Sequence, residues 1–196
     1  PEKIKSAIKK NTKLISIMYI NNEIGTINPI QDIAKIANEN NILFHTDAVQ
    51  TMGKINLNIK DSQIDLLSLS GHKFYSPKGV GVLYVRENTK LNPLFFGGGQ
   101  ESELFPGTEN IINIGAMGVA AEICSNKKNA NLNHIKKLDS YFIKLLDKMN
   151  IEYTINGAER TPGIINLTLY KTKSPSFIIN LDKEGYGISA GSACAS

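Results

Sequence analysis

Runs of apolar residues, separated by polar stretches rich in asparagine, lysine and glycine, predict alternating strands and helices along the chain. Residues 14–20 and 42–46 are apolar enough for two strands, and residues 30–40 between them repeat apolar side chains at helical spacing. This order predicts a βαβ unit with parallel strands. Residues 64–70 form the next predicted strand. Residues 79–86 should pair with it in antiparallel orientation, because only a short loop separates the two.

The rest of the chain is predicted to continue this alternation in two domains. Helices are expected at residues 2–10, 47–52, 108–124, 133–149 and 174–185, and further strands at residues 151–155, 163–169 and 187–189. The composition shifts to asparagine and lysine over residues 125–133, which predicts a domain boundary there. The sequence therefore indicates an α/β fold, with one domain over residues 1–125 and a second over residues 126–196.

Composition limits the classes of protein that need to be considered. Of the 196 residues, 41% are hydrophobic and 20% are charged, which is typical of a globular protein with a sizeable core. No apolar run approaches the ~20 residues needed to span a bilayer. The net charge of +4 lies on scattered lysines without interleaved aromatic residues, which does not favour nucleic-acid binding. Cys124 and Cys194 lack the spacing of a metal site or a disulfide, so reduced thiols and a cytoplasmic location are expected.

Lys73 follows the strand predicted at residues 64–70 and precedes a turn built on Pro77 and Gly79. In open α/β sheets, ligands bind at the edge where the strands end. A lysine held there beside apolar neighbours would be partly desolvated, which lowers the pKa of its amine and makes it nucleophilic. Such an amine can form a Schiff base with an aldehyde, and pyridoxal phosphate is the common aldehyde cofactor. A solvated lysine in a surface loop is the alternative.

Two other stretches favour the cofactor interpretation. Asp47 lies at the end of the strand predicted at residues 42–46, and a pyridoxal ring needs a carboxylate against its protonated nitrogen. Cys194 places a thiol in a run of small residues near the end of the sequence. The alternatives are a helix-capping role for Asp47 and an idle thiol at Cys194.

Four motifs occur together in one order. They are Asn21-Asn22-Glu23-Ile24-Gly25, His45-x-Asp47-Ala48-x-Gln50, Ser70-x-His72-Lys73-x-Tyr75-x-Pro77-Lys78-Gly79 and Gly191-Ser192-Ala193-Cys194. With these motifs the chain resembles the cysteine desulfurases of the NifS/IscS type, which are class V aminotransferase-like enzymes that use pyridoxal phosphate. The resemblance runs from about Leu14 to the last residue.

The resemblance implies a fold and a reaction. The fold would be the later part of a pyridoxal-phosphate (PLP) fold type I large domain, with a mainly parallel sheet, followed by part of the small α+β domain. The reaction would convert L-cysteine to L-alanine and leave a persulfide on the enzyme, as a sulfur donor for iron–sulfur cluster or thio-cofactor assembly. The implied partners are a second copy of the chain in a homodimer and a sulfur acceptor such as an iron–sulfur scaffold protein.

The same resemblance implies roles for individual residues. Lys73 would hold the cofactor and move protons on the substrate, and Cys194 would be the nucleophile that takes up sulfur. The other cofactor-binding residues match the family's motifs. These are Asp47 for the ring nitrogen, Gln50 and Asn22 for the ring oxygen, and Ser70 and His72 for the phosphate. Thr108, at a predicted helix start, would reach the phosphate of the partner subunit, with an ordinary N-cap as the alternative.

The chain departs from the family pattern in several places. Phe105 and Ser102 stand where the family has arginines. Ser76 stands where the family has glycine, which predicts strain if the turn needs a positive φ. In the family, a phosphate-binding glycine-threonine loop and a ring-stacking histidine would precede Pro1, and a substrate-binding arginine would follow Ser196. An incomplete chain with little activity of its own is therefore expected.

Two other functions stay open from the sequence. One is another class V enzyme, an aminotransferase or a selenocysteine lyase, although Cys194 argues against an aminotransferase because that reaction needs no thiol there. The other is a non-catalytic fragment that only binds a partner. The remaining thiol and two of the histidines, Cys124, His45 and His134, are interpreted as structural.

Overall fold

The computed structural model describes residues 1–172 and 174–191, and the chain divides into two units. The first unit comprises Pro1–Tyr19 and Asn28–Lys128, and the second comprises Ile20–Ile27 together with the chain from Asn129 onward. The predicted division into domains at residue 125 stays a prediction. Within the described ranges, no helix is long and apolar enough to cross a membrane.

A four-stranded sheet forms the centre of the first unit. Its strands in spatial order are β1 (Leu14–Met18), β2 (Leu43–Asp47), β3 (Leu66–Ser70) and β4 (Gly81–Val85). β2 is parallel to both of its neighbours, whereas β4 pairs antiparallel with β3. The helices α1 (Glu2–Ala7) and α2 (Ile30–Glu39) precede β1 and β2. The predicted βαβ unit and the antiparallel fourth strand are both confirmed.

The core of the first unit includes one face of α2 and the apolar side chains of β2 and β3. The buried residues of α2 are Ile30, Ile33, Ala34 and Ala37. Phe44 of β2 and Leu67 of β3 belong to the same cluster and are fully buried. Burial of one such side chain contributes about 1.5–3 kcal/mol. Asp65 adds a polar link, because its Oδ2 accepts the N–H of Phe44 at 2.8 Å. These contacts fix the ends of β2 and β3 relative to each other.

The segment after β2 is a series of turns, so the short helix predicted there is wrong. Thr51 is buried, and its N–H and its hydroxyl both donate to the carbonyl of Ala48, at 2.9 and 2.6 Å. The N–H groups of Lys54 and Ile55 then donate to the carbonyl of Thr51, at 3.0 and 3.1 Å. Gly53 has a φ of +73°, which interrupts a right-handed helix and which glycine adopts without strain.

A short 3-10 helix, Gly71–Phe74, follows β3 and carries Lys73. A Cβ at Gly71 would lie 2.9 Å from the Oγ of Ser76, so glycine is the residue that fits there. The positive φ of the turn that follows falls on Tyr75, at +71°, so the strain predicted at Ser76 is wrong. Ser76 carries a different cost, because its buried Oγ has no hydrogen-bond partner within the described residues. Such an unpaired group costs about 1–3 kcal/mol.

One helix, α3 (Ile111–Lys148), runs without interruption for 38 residues. Two separate helices were predicted at residues 108–124 and 133–149, and that prediction is wrong, because residues 125–133 between them are also helical. This stretch contains neither glycine nor proline, and its lysines and alanine are good helix formers that offset the weaker asparagines. Thr108 lies before the helix rather than at its start. The residue that caps the first turn is Asn110, whose Oδ1 accepts the N–H of Asn113 at 3.4 Å.

The second unit contains a strand pair and a helix. These are β5 (Tyr153–Ile155), its antiparallel partner β6 (Leu167–Leu169) and α4 (Ser174–Lys183). The loop Ile20–Ile27 belongs to this unit, and the Oγ1 of Thr26 accepts the N–H of Ala158 at 3.2 Å. Residues 187–189 are not a strand, so that prediction is wrong.

Candidate active site

The polar ends of β2 and β3 meet at one edge of the sheet. Asp47 closes β2 and Ser70 closes β3, and the two parallel strands pair Asp47 with Ser68. The backbone continues this pairing, because Ala48 donates its N–H to the carbonyl of Ser68 at 3.0 Å. Ligands bind at this edge in open α/β sheets. The loops that follow β2 and β3 therefore start from neighbouring points of a potential binding site.

Asp47 is partly buried, and one of its oxygens holds the turn that follows. Its Oδ1 accepts the N–H of Val49 at 3.0 Å. Because the next segment is a series of turns, Asp47 does not cap a helix there. A carboxylate has two oxygens with about four acceptor positions. Asp47 therefore keeps the capacity to accept a further hydrogen bond from a cationic donor.

Lys73 is exposed, so the partial desolvation predicted from its apolar neighbours is wrong. Its backbone is nevertheless well held, since Gly71 and Phe74 of the same 3-10 helix are buried. Beside it, the Oγ of Ser70 and the Nδ1 of His72 share a hydrogen bond of 3.0 Å. A hydroxyl, an imidazole and an ammonium thus lie within four residues of the chain. This set of donors suits a phosphate or another anion.

The partly buried lysine near this edge is Lys54, which the sequence interpretation missed. Its ammonium donates to the Oε1 of Gln50 at 2.6 Å. Burial lowers the pKa of Lys54, and the positive charge of Lys73 lowers it further. Lys54 is therefore hydrogen-bonded to Gln50, and it lies close enough to Lys73 for the two positive charges to repel each other. The four-residue spacing between Gln50 and Lys54 is the sequence signal that could have found this contact.

His45 links three strands of the sheet. Its Nδ1 shares a hydrogen bond of 2.7 Å with the Oγ of Ser16 on β1, and its Nε2 shares one of 2.8 Å with the Oγ of Ser68 on β3. Burial lowers the pKa of His45, while the negative charge of Asp47 raises it in part. These cross-strand contacts agree with the structural role predicted for His45.

Cys124 lies buried in α3. It packs with Phe74 and Met117, and its Sγ donates to the carbonyl of Phe74 at 3.7 Å. Burial raises the pKa of the Cys124 thiol, which disfavours the thiolate form. Cys124 is therefore a core residue and a poor nucleophile, in agreement with the structural interpretation of the sequence.

Three other residues were predicted for the site: Thr108, Asn22 and Cys194. Thr108 is exposed in the segment that precedes α3. Asn22 belongs to the second unit, in a loop whose turn is held by Asn21, since the Oδ1 of Asn21 accepts two backbone N–H groups at 2.9 and 3.0 Å. Cys194 lies outside the described residues.

The polar groups at the carboxyl edge of β2 and β3 fit pyridoxal phosphate. The groups are a carboxylate for the pyridinium nitrogen, an amide for the ring oxygen, a primary amine for the aldehyde, and a hydroxyl with an imidazole for the phosphate. The residues that supply them, in that order, are Asp47, Gln50, Lys73, Ser70 and His72. In the part of the chain that the structure describes, no three His, Cys, Asp or Glu side chains are placed to hold a metal ion.

Comparisons with known proteins give consistent results. The family described as aminotransferase class-V matches residues 1–196. A cysteine desulfurase IscS from Dictyoglomus turgidum is 46% identical over 198 residues, which cover 100% of this chain and 50% of the relative. The chain thus spans about half the length of the curated relatives it matches.

Solved structures share the fold. A NifS-like protein superimposes with a TM-score of 0.89 and 34% sequence identity, over 96% of this chain and 52% of that protein. A structure described as SspA in complex with cysteine has a TM-score of 0.76 and 37% identity, over 98% of this chain and 53% of that protein. The α/β fold predicted from the sequence is therefore confirmed.

Proposed function

The chain belongs to the aminotransferase class-V family, and from this premise we propose that it is the central portion of a pyridoxal-phosphate-dependent cysteine desulfurase. The observation that carries the proposal is the arrangement of Asp47, Gln50 and Lys73 around the ends of β2 and β3. The names of similar proteins support it, since one is a cysteine desulfurase and another was solved with cysteine. Residues 1–125 would form the later part of the large domain, and residues 126–196 part of the small domain.

L-Cysteine is the proposed substrate, and L-alanine is the proposed product. Pyridoxal phosphate, when bound, supplies an electron sink for the negative charge that develops on the substrate. The protein must therefore keep the ring nitrogen protonated, hold the phosphate and place a base beside the reacting carbon. The residues at the carboxyl edge of β2 and β3 supply these groups.

Lys73 has two proposed tasks. Its amine would hold the aldehyde group of the cofactor, and its Nζ would carry a proton to and from the substrate's α carbon. The long lysine side chain on a fixed backbone suits both tasks, because only the flexible stem has to move.

Asp47 is proposed to orient the ring and hold its charge. One carboxylate oxygen stays with the N–H of Val49, which fixes the carboxylate in place. The remaining acceptor capacity would serve the protonated ring nitrogen. Ser70 and His72 are proposed to donate to the phosphate, and Gln50 and Asn22 to the ring oxygen.

Cys194 is the proposed sulfur acceptor. Its thiolate attacks the sulfur of the bound substrate, so a sulfur–sulfur bond forms on Cys194 while the carbon–sulfur bond of the substrate breaks. The electron pair of the broken bond stays with the substrate carbon, which gains a proton and leaves as alanine. The sulfur is then held as a persulfide, a form that can be passed to an acceptor.

The proposal includes partners and a location. Thr108 would reach the cofactor phosphate of a second copy of the chain, so the working form would be a homodimer. An iron–sulfur scaffold or another sulfur-acceptor protein would receive the persulfide sulfur. A cytoplasmic location is proposed because a reactive thiol must stay reduced between turnovers.

The test of this function compares two polypeptides. One is the 196-residue chain, and the other is the same chain extended at both termini by the segments that flank the matched region in the Dictyoglomus turgidum relative. We expect the extended polypeptide to form alanine and sulfide from L-cysteine, and the 196-residue chain to show little turnover. The reason is that the resemblance assigns two or three cofactor contacts to the flanking segments. Each charge-assisted hydrogen bond contributes about 1.5–3 kcal/mol, so cofactor affinity should fall roughly 10²–10⁶-fold.

The measurement is alanine released from L-cysteine at one concentration of pyridoxal phosphate, chosen so that it just saturates the extended polypeptide, with sulfide assayed in parallel. Equal turnover of the two polypeptides would contradict the expected need for the flanking segments. Absence of alanine from both, with transamination of the cysteine instead, would replace the desulfurase proposal by an aminotransferase.

Asp47→Asn should affect catalysis far more than folding. In the extended polypeptide, we expect turnover to fall about 10²–10³-fold, the range for loss of one preorganised electrostatic partner. The unfolding free energy of the cofactor-free protein should change by less than about 1 kcal/mol, because an asparagine Oδ1 can still accept the N–H of Val49. Steady-state kinetics and urea unfolding give the two values. Asp65→Asn is the matched control, since Asp65 also accepts a backbone N–H but lies at the other end of β3.

A further inference from the structure

Lys54 occupies a fixed position after β2. Its backbone N–H donates to the carbonyl of Thr51 at 3.0 Å, and Thr51 is fully buried and bonded to the carbonyl of Ala48. Gly53 packs near Cys124, because a Cβ at this glycine would lie 3.7 Å from the Sγ of Cys124. The turn is therefore held against both the core and α3, and Lys54 has a defined place relative to the end of the strand.

The ammonium of Lys54 fixes the orientation of the Gln50 side-chain amide. An ammonium has three donors and no acceptor, so its 2.6 Å hydrogen bond must be made with the carbonyl oxygen of Gln50. The amide nitrogen of Gln50, with its two N–H donors, is then the end that is left for another partner. Without Lys54, the amide could rotate and offer its oxygen instead, which would repel an anion.

The charge around Gln50 favours an anionic partner. Lys54 and Lys73 are close enough for the charge of Lys73 to lower the pKa of Lys54, in addition to the effect of burial. Two cations next to each other repel, and an anion bound beside them relieves that repulsion. The ring oxygen of pyridoxal phosphate carries negative charge when the cofactor is bound through an amine.

We propose that Lys54 is a positioning residue that holds Gln50 with its N–H groups directed to the ring oxygen of pyridoxal phosphate. The proposal rests on the proposed function, because it requires that the cofactor binds at this edge. Lys54 acts through Gln50 and does not itself touch the reacting atoms. This role gives a reason for a lysine at a partly buried position, where burial disfavours its charged form.

The test uses a double-mutant cycle in the extended polypeptide. The variants are Lys54→Met, which removes the donor while keeping length, Gln50→Ala and the double variant. The dissociation constant for pyridoxal phosphate is measured from the visible absorbance of the bound cofactor. We expect Lys54→Met to weaken binding about tenfold, which corresponds to about 1.4 kcal/mol. In the Gln50→Ala background, Lys54→Met should add less than about a twofold effect, because the residue through which it acts is gone.

Two further variants separate positioning from general charge. Lys54→Arg keeps a cationic donor and should restore binding to within about threefold of the wild type. Lys60→Met removes an exposed lysine from the same segment and should leave binding unchanged. The wavelength and pH dependence of the cofactor absorbance give a second readout, because loss of a donor at the ring oxygen changes the protonation of the bound chromophore.

Each outcome bears on the proposal. If the effects of Lys54→Met and Gln50→Ala are fully additive, Lys54 does not act through Gln50 and the inference is wrong. Unchanged affinity and spectrum in Lys54→Met, with cofactor bound normally to the wild type, overturns the inference alone. A wild type that binds no pyridoxal phosphate overturns both the inference and the proposed function.

Discussion

Reduction of the extended polypeptide with borohydride in the presence of pyridoxal phosphate should attach the pyridoxyl group to Lys73, and Lys73→Ala should abolish this labelling. We expect the same variant to lose all measurable alanine formation, because both the covalent attachment of the cofactor and the proton transfer depend on one amine. Peptide mapping by mass spectrometry identifies the labelled lysine.

Lys54 is the lysine that could compete with Lys73 for the label. Its pKa is lowered by burial and by the charge of Lys73, so a larger fraction of its amine is uncharged and able to react with an aldehyde. Its hydrogen bond to Gln50 and its partial burial oppose that reaction, whereas Lys73 is exposed at the end of β3. We therefore expect Lys54→Met to keep the label on Lys73.

Lys78→Met is the second control, since Lys78 follows Lys73 by five residues and is also exposed. Labelling that moves to Lys54 or Lys78 in the wild type, or that spreads evenly over the lysines, would remove Lys73 from its proposed role. Circular dichroism shows whether Lys73→Ala still folds. If it does not, Lys73→Arg provides a variant that keeps the positive charge but cannot form the Schiff base.

Cys194→Ser should eliminate sulfur transfer. A serine hydroxyl is far less nucleophilic than a thiolate and cannot form a persulfide, so we expect no sulfur bound to the protein after incubation with L-cysteine. Cofactor labelling at Lys73 should persist, because Cys194 is not proposed to bind pyridoxal phosphate. The measurement is alkylation of the protein after incubation, followed by mass spectrometry of the peptide that contains residue 194.

Cys124→Ala is the control for the second thiol. Cys124 is buried and burial raises the pKa of its thiol, so its removal should leave the persulfide signal intact apart from a modest loss of stability. A persulfide found on Cys124, or sulfide release by Cys194→Ser equal to that of the wild type, would show that Cys194 is not the acceptor.

The strands of the first unit could be predicted because apolar runs and short connections constrain them strongly. Residues 64–70 and 79–86 are joined by a loop too short for a parallel crossover, and β4 is indeed antiparallel to β3. The ends of the helices were harder to predict from the sequence. The four asparagines within residues 125–133 have weak helix propensity, yet they lie within α3, where the intervening lysines and alanine and the helical segments on both sides support them.

The electrostatics of the site depend on contacts between distant residues, which the sequence does not display. Apolar neighbours of Lys73 in the sequence suggested desolvation, but Gly71 and Phe74 turn inward while Lys73 is exposed. A partly buried lysine near this edge is Lys54, which comes close to Lys73 because β2 and β3 are adjacent in the sheet. The positive φ of this turn likewise falls on Tyr75 and not on Ser76, a backbone angle that the sequence does not show.

The loop Ile20–Ile27 has a consequence for synthesis of the chain on the ribosome. The hydroxyl oxygen of Thr26, in this loop, accepts a hydrogen bond from the N–H of Ala158, which lies 132 residues later in the chain. At about 5–20 residues per second, the loop waits roughly 7–26 s for its partner to be made. During that time β1, α2 and β2 can form on either side of the loop, whereas the contact between Thr26 and Ala158 cannot form until Ala158 has been made. A cut between residues 128 and 129 would place the loop and Ala158 on different polypeptides, so the two pieces would not match the two units.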